Sequence, residues 1–297
     1  MAHPKFAFLI NPGSGSVSNT RITALHESIK QHKIDGEVIL AGANIEEQTI
    51  RLRDAGYQAV IAAGGDGTLR AVAAALVGTK TAFGVLPWGT FNHFAKDLEV
   101  PDSIDLIFTA LSSGRTRQID TGEVNGELFL NNSSIGLYPR FVAEREKLQA
   151  KIGKFPAAAL VALKLFIQYR THKIKLTIDG ETVLLRTPLV FIGNNHYQID
   201  RLGLVARPNL TGGQLCVYTL KSTKRADMIR LAWRLLLGNA HSMELFEQYN
   251  PTELTVDLSK NRSILVALDG EVERMDLPLE ILVRARHLKL IDTQPKS

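Results

Sequence analysis

The sequence predicts an α/β domain over residues 1–118 followed by a mainly antiparallel β domain over 119–297. Three observations predict this. Short apolar runs alternate with helix-period segments in the first third of the chain, and polar glycine-bearing loops follow three of those runs. From about Arg117 the texture changes to short alternating runs punctuated by hairpin signals. A length of 297 residues exceeds the usual single domain, which also points to two.

In order, Lys5 to Ile10 reads as a strand, Asn11 to Ser18 as a Gly/Ser loop, and Thr20 to Gln31 as a helix with Ile22, Leu25 and Ile29 on one face. Glu37 to Leu40 is a second strand, and Ile45 to Asp54 a helix stopping near Gly56. Ala59 to Ala63 runs into glycines, and a helix resumes over Leu69 to Leu76. Ala82 to Leu86 is a strand ended by Pro87. Apolar strands separated by helices argue a mostly parallel sheet covered on both faces, where phosphate ligands gather at the carboxyl ends of the strands.

Further on, Gly122 to Glu127 reads as strand-turn-strand, and Asp179-Gly180 between Lys173 to Ile178 and Val183 to Leu185 is a hairpin signature. Strands are expected at Leu189 to Ile192, Gln214 to Thr219, Glu253 to Leu258, Ile264 to Leu268 and Leu279 to Arg284. Helical insertions are expected at Ala143 to Tyr169 and Arg225 to Leu237, and a frayed tail at Gln294 to Ser297.

With 35 basic against 30 acidic residues the net charge is +5, too small and too dispersed to suggest nucleic acid. Anionic cofactors or an anionic membrane face account for the sign. Cys216 is the single cysteine, so no intrachain disulfide forms and a reducing compartment is expected. The start runs directly into the first strand and does not read as a signal peptide. Phe155 to Ile167 and Ile229 to Leu237 are too short and too interrupted by Lys164, Arg230 and Arg234 to span a bilayer. The chain is expected to be cytoplasmic, either soluble or peripheral on the inner face of the membrane.

Gly64-Gly65-Asp66-Gly67-Thr68 sits between a strand and a helix. Glycines there allow close approach, so that backbone amides meet phosphate oxygens. The helix beginning near Thr68 adds its unpaired amides and positive end. Asp66 would repel a triphosphate unless magnesium intervenes, held by the carboxylate and completed by phosphate oxygens. A plain polar turn is the bland alternative, but Asn11-Pro12-Gly13-Ser14-Gly15 and Pro87-Trp88-Gly89-Thr90-Phe91-Asn92 follow other strands and can converge on the same place. Neither the P-loop nor the Gly-x-Gly-x-x-Gly fingerprint occurs.

These loops, with Asn131-Asn132-Ser133-Ser134-Ile135-Gly136 and Asp269-Gly270-Glu271, resemble in order those of the diacylglycerol kinase catalytic-domain family, which includes bacterial lipid, sphingosine and ceramide kinases. The turn Gly-Gly-Asp-Gly is shared with NAD kinases and phosphofructokinases. The resemblance implies a Rossmann-like N-terminal domain of that kind, a C-terminal β-sandwich, and nucleotide between them. It implies ATP and Mg2+ as cofactors and a lipid hydroxyl as acceptor. Asn11, Pro12, Gly13, Ser14 and Gly15 should border the nucleotide; Gly64, Gly65, Asp66, Gly67, Thr68, Leu69, Arg70 and Ala71 its phosphates; Thr90 should face the same cleft. Arg70 stands where relatives carry asparagine, and either touches phosphate or lies on a solvated helix face. Glu271 is the implied general base, Asp269 a supporting or metal-orienting group, and Asp66 the holder of the catalytic Mg2+. A proton acceptor is needed because a protonated alcohol is a poor nucleophile. A solvated β-turn like Asp179-Gly180-Glu181 is the alternative for the Asp-Gly-Glu segment.

Other candidates each carry two readings. Asn194-Asn195-His196-Tyr197 lines the cleft or bonds locally; Trp88 flanks a ligand or packs; Arg140, Glu144, Arg145, Glu146 and Lys147 position a headgroup or face solvent. Phe155, Leu160, Leu163, Phe166 and Ile167, near Lys151, Lys154, Lys164, Arg170 and Lys173, face a membrane or pack inward. The sequence departs from the family in three places. Pro208-Asn209-Leu210-Thr211-Gly212-Gly213 lacks the acidic pair of a secondary divalent site, Ala41-Gly42-Ala43 lacks a threonine, and Ile135-Gly136-Leu137-Tyr138-Pro139 lacks an aspartate. An NAD-kinase-like enzyme and a lipid-binding protein without catalysis are the competing functions. A homodimer is compatible with all of this.

Overall fold

A computed structural model of the chain describes residues 6–90, 92–101, 103–167, 171–199, 205–221, 246–258 and 261–294. Lys5, Phe91, Tyr169, Arg170, the helix expected over 225–237 and the tail from Pro295 lie outside the described residues. The chain divides into two compact units, Met1–Thr121 with Ala285–Ser297, and Gly122–Arg284. The first crossing falls three residues beyond the expected boundary at 118. The second differs from expectation: the residues after Arg284, assigned by sequence to the second domain, group with the first unit.

In the first unit the elements are β1 (Phe6–Ile10), α1 (Asn19–Gln31), β2 (Gly36–Leu40), α2 (Ile45–Asp54), β3 (Ala59–Ala63), α3 (Asp66–Leu76), β4 (Ala82–Leu86), α4 (His93–Asp97) and α5 (Ile104–Ser113). The strands run parallel in the order β2-β1-β3-β4, with Phe6 opposite both Gly36 and Ala59, and Ala59 opposite Ala82. Every residue of β1, β3 and β4 is buried, as a sheet covered on both faces requires. Phe6, Phe8, Ile10 and Ile61 pack with Leu25 and Ile29 of α1 and Phe108 and Leu111 of α5. Phe8 and Phe108 stack with centroids 5.4 Å apart, each contributing about 1.5–3 kcal/mol by its burial. By alternation Ala7, Leu9, Val60 and Ala62 point to the opposite face, where α2 and α3 lie.

The helix ends follow local chemistry. Ser18 and Asn44 cap α1 and α2 by accepting from the amides of Arg21 (3.3 Å) and Glu47 (3.0 Å). Two helices escaped the sequence reading. The five-residue α4 is too short for a periodic signal, whereas α5 is bounded by Ser103 and a left-handed Gly114, which is a legible start and stop.

The second unit contains β5 (Thr116–Val124) from Gly122 on, β6 (Glu127–Phe129), β7 (Asn132–Gly136), α6 (Leu137–Ile152), α7 (Lys154–Ile167), β8 (His172–Ile178), β9 (Glu181–Thr187), β10 (Leu189–Asn194), β11 (Gln198–Ile199), β12 (Val205–Ala206), β13 (Leu215–Leu220), β14 (Phe246–Tyr249), β15 (Glu253–Asp257), β16 (Ser263–Leu268), β17 (Glu271–Asp276) and the first part of β18 (Leu279–Ile291). One antiparallel sheet has the order β14-β13-β10-β7-β16-β17; the other runs β18-β15-β8-β9. Ile135, Val190, Val217 and Val266 of the first sheet share a core with Ile174, Leu176, Leu254 and Ile281 of the second, which makes the unit a β-sandwich. The helical insertion expected over Ala143 to Tyr169 is two helices, broken at Gly153 with φ +84°. The last strand is longer than expected, reaching Ile291, and Leu290 pairs in parallel with Phe83 in the first unit.

Three hairpins share one device. Asn125-Gly126, Asp179-Gly180 and Asp269-Gly270 all have positive φ at both residues, as a two-residue type I′ turn needs. In each, the first residue's side chain bonds a neighbouring strand. Asn125 accepts from the Glu280 amide (2.7 Å), and Asp179 from the amides of Thr252 and Glu253 (3.1 and 3.2 Å).

Candidate active site

The three glycine-bearing loops meet at the carboxyl ends of β1, β3 and β4, all within the first unit. Asn11 is placed by its amide on the Ala63 carbonyl (2.9 Å), and its Nδ2 donates to Thr68 Oγ1 at 2.8 Å. Its Oδ1 accepts from the Gly13 amide (3.0 Å), curling the first loop back over the strand end. The Gly65 amide donates to Ser14 Oγ and Ser16 Oγ donates to the Gly89 carbonyl, both at 3.2 Å. Thus the second loop is tied to the first, and the first to the third.

Glycine is dictated by contact at two points. A Cβ on Gly89 would stand 2.5 Å from the Gly65 Cα and 3.0 Å from the Gly64 carbonyl oxygen; one on Gly64 would stand 2.6 Å from Thr68 Oγ1. At Gly89 backbone therefore meets backbone directly, and at Gly64 the backbone meets the Thr68 side chain, with no room for a Cβ at either.

The helix α3 starts at Asp66, two residues before the position near Thr68 that the sequence suggested. Gly65 is extended (φ −83°, ψ 177°) and its carbonyl accepts the first helical bond, from Leu69 at 3.0 Å. An acid in the first turn favours that start through the helix dipole. Asp66, Gly67 and Thr68 thus form the first turn, whose amides have no carbonyl partner within the helix. This is the amide array that an anion takes.

Asp66 has a structural task as well. Its carboxylate accepts from the amides of His93 (3.3 Å) and Phe94 (3.2 Å), so it caps the start of α4 and fastens the third loop to the second. Asn92, left-handed at φ +52°, closes that loop through its Oδ1 on the Gly89 amide (2.8 Å) and its Nδ2 on the Pro87 carbonyl (3.0 Å). Both Asp66 bonds are long, and each oxygen keeps a second lone pair. No group of three or more His, Cys, Asp or Glu side chains is placed to hold a metal among the described residues. The single carboxylate at the loops, Asp66, is the kind of donor that magnesium takes beside substrate phosphates and water.

The remaining expected residues fall out differently. Pro12, Gly13, Gly15 and Thr90 are exposed, with Thr90 Oγ1 next to Gly15 (3.1 Å from where its Cβ would lie). Leu69 is fully buried and serves the core, while Arg70 and Ala71 are half-buried on α3. Of the two readings for Trp88 the structure selects packing: it is 4% exposed in the core, with the Arg21 guanidinium 5.8 Å above its ring.

In the second unit, Asp269 and Glu271 diverge although only Gly270 separates them. The Asp269 carboxylate accepts from the amides of Leu130 (2.7 Å), Asn131 (2.7 Å) and Asn132 (3.1 Å), holding the start of β7. Burial pushes its carboxyl above the usual carboxylate range, opposed by the three amides and by the Arg207 guanidinium. Glu271 opens β17 and is exposed.

Arg207 is the residue the sequence reading missed. Only 3% exposed, it donates to the carbonyls of Leu130 (2.7 Å) and Asn194 (3.1 Å) and to Asn131 Oδ1 (2.8 Å), with Tyr197 under its guanidinium. Tyr197 donates to the Asn131 carbonyl (2.7 Å) and Asn194 to the Leu130 carbonyl (2.9 Å). Asn131, Asn194 and Tyr197 thus belong to one buried network around Leu130 to Asn132. His196 is exposed and bonds locally, its Nδ1 lying 3.3 Å from Gln248 Nε2. On α6 and α7, Lys164 pairs with Glu144 (2.6 Å); Val161 and Leu165 are buried while Leu160 and Leu163 are more than half exposed. The side chains of Lys154, Phe155, Phe166 and Ile167 lie outside the described residues.

Three glycine loops joined at a helix start offer an anion a row of backbone amides, in a chain that also carries a β-sandwich. Residues 5–124 match the diacylglycerol kinase catalytic domain, and residues 140–292 the YegS C-terminal NAD kinase beta sandwich-like domain. The chain belongs to the diacylglycerol kinase family of lipid kinases, enzymes that take their phosphoryl group from ATP. It is 27% identical to a diacylglycerol kinase of Bacillus subtilis over 248 residues, 81% of this chain and 80% of the relative. It is 39% identical over 128 residues to a probable YegS-like lipid kinase of Cronobacter sakazakii, covering 41% and 43% of the two chains. Its fold is that of a putative diacylglycerol kinase from Bacillus anthracis (TM-score 0.73, 21% identity, 97% of each chain).

Proposed function

We propose that this lipid kinase transfers the γ-phosphoryl group of ATP to a hydroxyl of a membrane lipid such as diacylglycerol or a sphingoid or ceramide-like lipid. The observation that carries it is the joining of the three loops through Asn11 to Thr68, Ser14 to Gly65 and Asp66 to the α4 amides. The α3 first-turn amides hold phosphate oxygens, the Asn11 to Gly15 loop and Thr90 border the nucleotide, and Asp66 holds Mg2+ together with the phosphates. Bound there, magnesium offsets charge on the transferring group. Glu271 accepts the acceptor proton, a role its exposure permits. Asp269 supports it by holding the turn. The exposed Leu160 and Leu163 support contact with the lipid surface, and no helix among the described residues is long and apolar enough to cross a membrane.

Incubation with labelled ATP, magnesium and a broad lipid panel, followed by identification of the labelled lipid, tests the reading. A phosphorylated lipid is expected; product on NAD alone would overturn it. Asp66→Ala is expected to cut turnover about 10²–10³-fold, the scale of losing a charge-stabilising group. It should also cost about 0.5–2 kcal/mol of stability through the lost α4 cap. Turnover within tenfold of the parent, measured beside the thermal melt, would remove Asp66 from the chemistry (about 1.4 kcal/mol).

A further inference from the structure

The family pattern implies a secondary divalent ion held by an acidic pair, and the corresponding segment of this chain, Pro208-Asn209-Leu210-Thr211-Gly212-Gly213, contains no Asp or Glu. Its geometry does not suit such an ion either. A Cβ on Gly212 would stand 2.8 Å from Asn195 Oδ1, so a carboxylate there has no room while Asn195 keeps its place. Asn195 is 1% exposed and left-handed at φ +69°, fixed by its amide on the Gln214 carbonyl (3.0 Å) and its Nδ2 on Asn194 Oδ1 (3.3 Å). The Asn209 side-chain oxygen is taken as well. It accepts from the Thr211 amide (2.8 Å) and hydroxyl (2.9 Å), which fills both of its lone pairs. Of these side chains only Asn195 Oδ1, a neutral oxygen, has no partner among the described residues. A hard divalent ion needs carboxylates in its shell, and the segment offers none.

The chain supplies a cation of its own immediately before the segment. The Arg207 guanidinium stands among the carbonyls of Leu130 (2.7 Å) and Asn194 (3.1 Å) and the Asn131 Oδ1 (2.8 Å). Two carbonyls and an amide oxygen are ligands that a hard cation would otherwise gather. Asp269 completes the group, since its carboxylate holds the amides of Leu130, Asn131 and Asn132. Burial pushes the Asp269 carboxyl up, and the Arg207 charge is among the forces that oppose this.

Satisfying three acceptors is the bland task for Arg207, and a neutral donor would do that. A carboxylate taken out of water beside it needs more, because an uncompensated charge there is costly. The guanidinium is always protonated, and no chelator removes it.

We infer that Arg207 stands in for the secondary divalent ion: a tethered cation that holds the Leu130 to Asn132 segment and the Asp269 turn, so that the second unit folds without a structural metal. This inference does not depend on the proposed transfer reaction, and stability alone tests it.

The whole chain, stripped with EDTA and free of nucleotide, would be melted alone and with magnesium, manganese or calcium at about 5 mM. The melting temperatures are expected to agree within about 2 °C, whereas a structural ion at a hundred times its Kd would add about 5–10 °C. A larger rise that persists in Asp66→Ala, where the glycine loops lose their carboxylate, would overturn the inference. Chemical denaturation of two variants tests the charge itself. Arg207→Lys keeps the charge and should be more stable than Arg207→Gln, which keeps amide donors without it. Equal losses, unfolding of both included, would show that donors and not charge hold the segment, and would overturn the stand-in role.

Discussion

Replacing Glu271 by glutamine is expected to lower kcat by about 10²–10⁴-fold, the usual scale of a lost general base, with KM for ATP little changed. The substitution keeps the shape of an exposed side chain at the first position of β17 and leaves Asp269-Gly270 intact. A melt that stays in place while kcat falls would separate a chemical role from a structural one. Steady-state rates at saturating ATP and lipid, beside a thermal scan, are the measurement. A Glu271→Gln or Glu271→Ala enzyme with full activity rules the residue out as base.

The opposite pattern is expected at Arg207. Arg207→Leu should cost at least about 3 kcal/mol of stability, because the change leaves buried acceptors unsatisfied rather than removing them. Those acceptors are the Asn194 carbonyl and the Asn131 side chain, while the Leu130 carbonyl keeps only its bond from Asn194 Nδ2 and the nearby Asp269 loses its counter-charge. Arg207→Lys restores the charge but not the fork of donors, so it should recover only part of the loss. Chemical denaturation reports both; an Arg207→Leu protein as stable as the parent would show that water or repacking satisfies the network.

The two carboxylates of Asp-Gly-Glu illustrate what was legible beforehand. Spacing marks a turn, and two-residue loops of Asp-Gly or Asn-Gly select the left-handed pair that all three hairpins show. It does not say where the carboxylate goes. Asp269 and Asp179 look alike in sequence and do the same thing, each gathering amides of an adjacent strand, yet one strand begins at Asn132 and the other at Glu253. That partner lies more than seventy residues away in both cases.

Local order was what the sequence by itself determined: strand, glycine turn and helix, the hairpins, and the three glycine-bearing loops at strand ends. Such features depend on φ/ψ preferences and apolar period within about a dozen residues, which a sequence displays directly. Tertiary structure alone decided that Asp66 caps α4, that Trp88 is core, that Arg207 organises the Leu130 to Asn132 segment, and that the chain after Arg284 returns to the first unit. Each is a contact between groups remote in sequence, and no local preference encodes which distant amide or carbonyl will be left needing a partner.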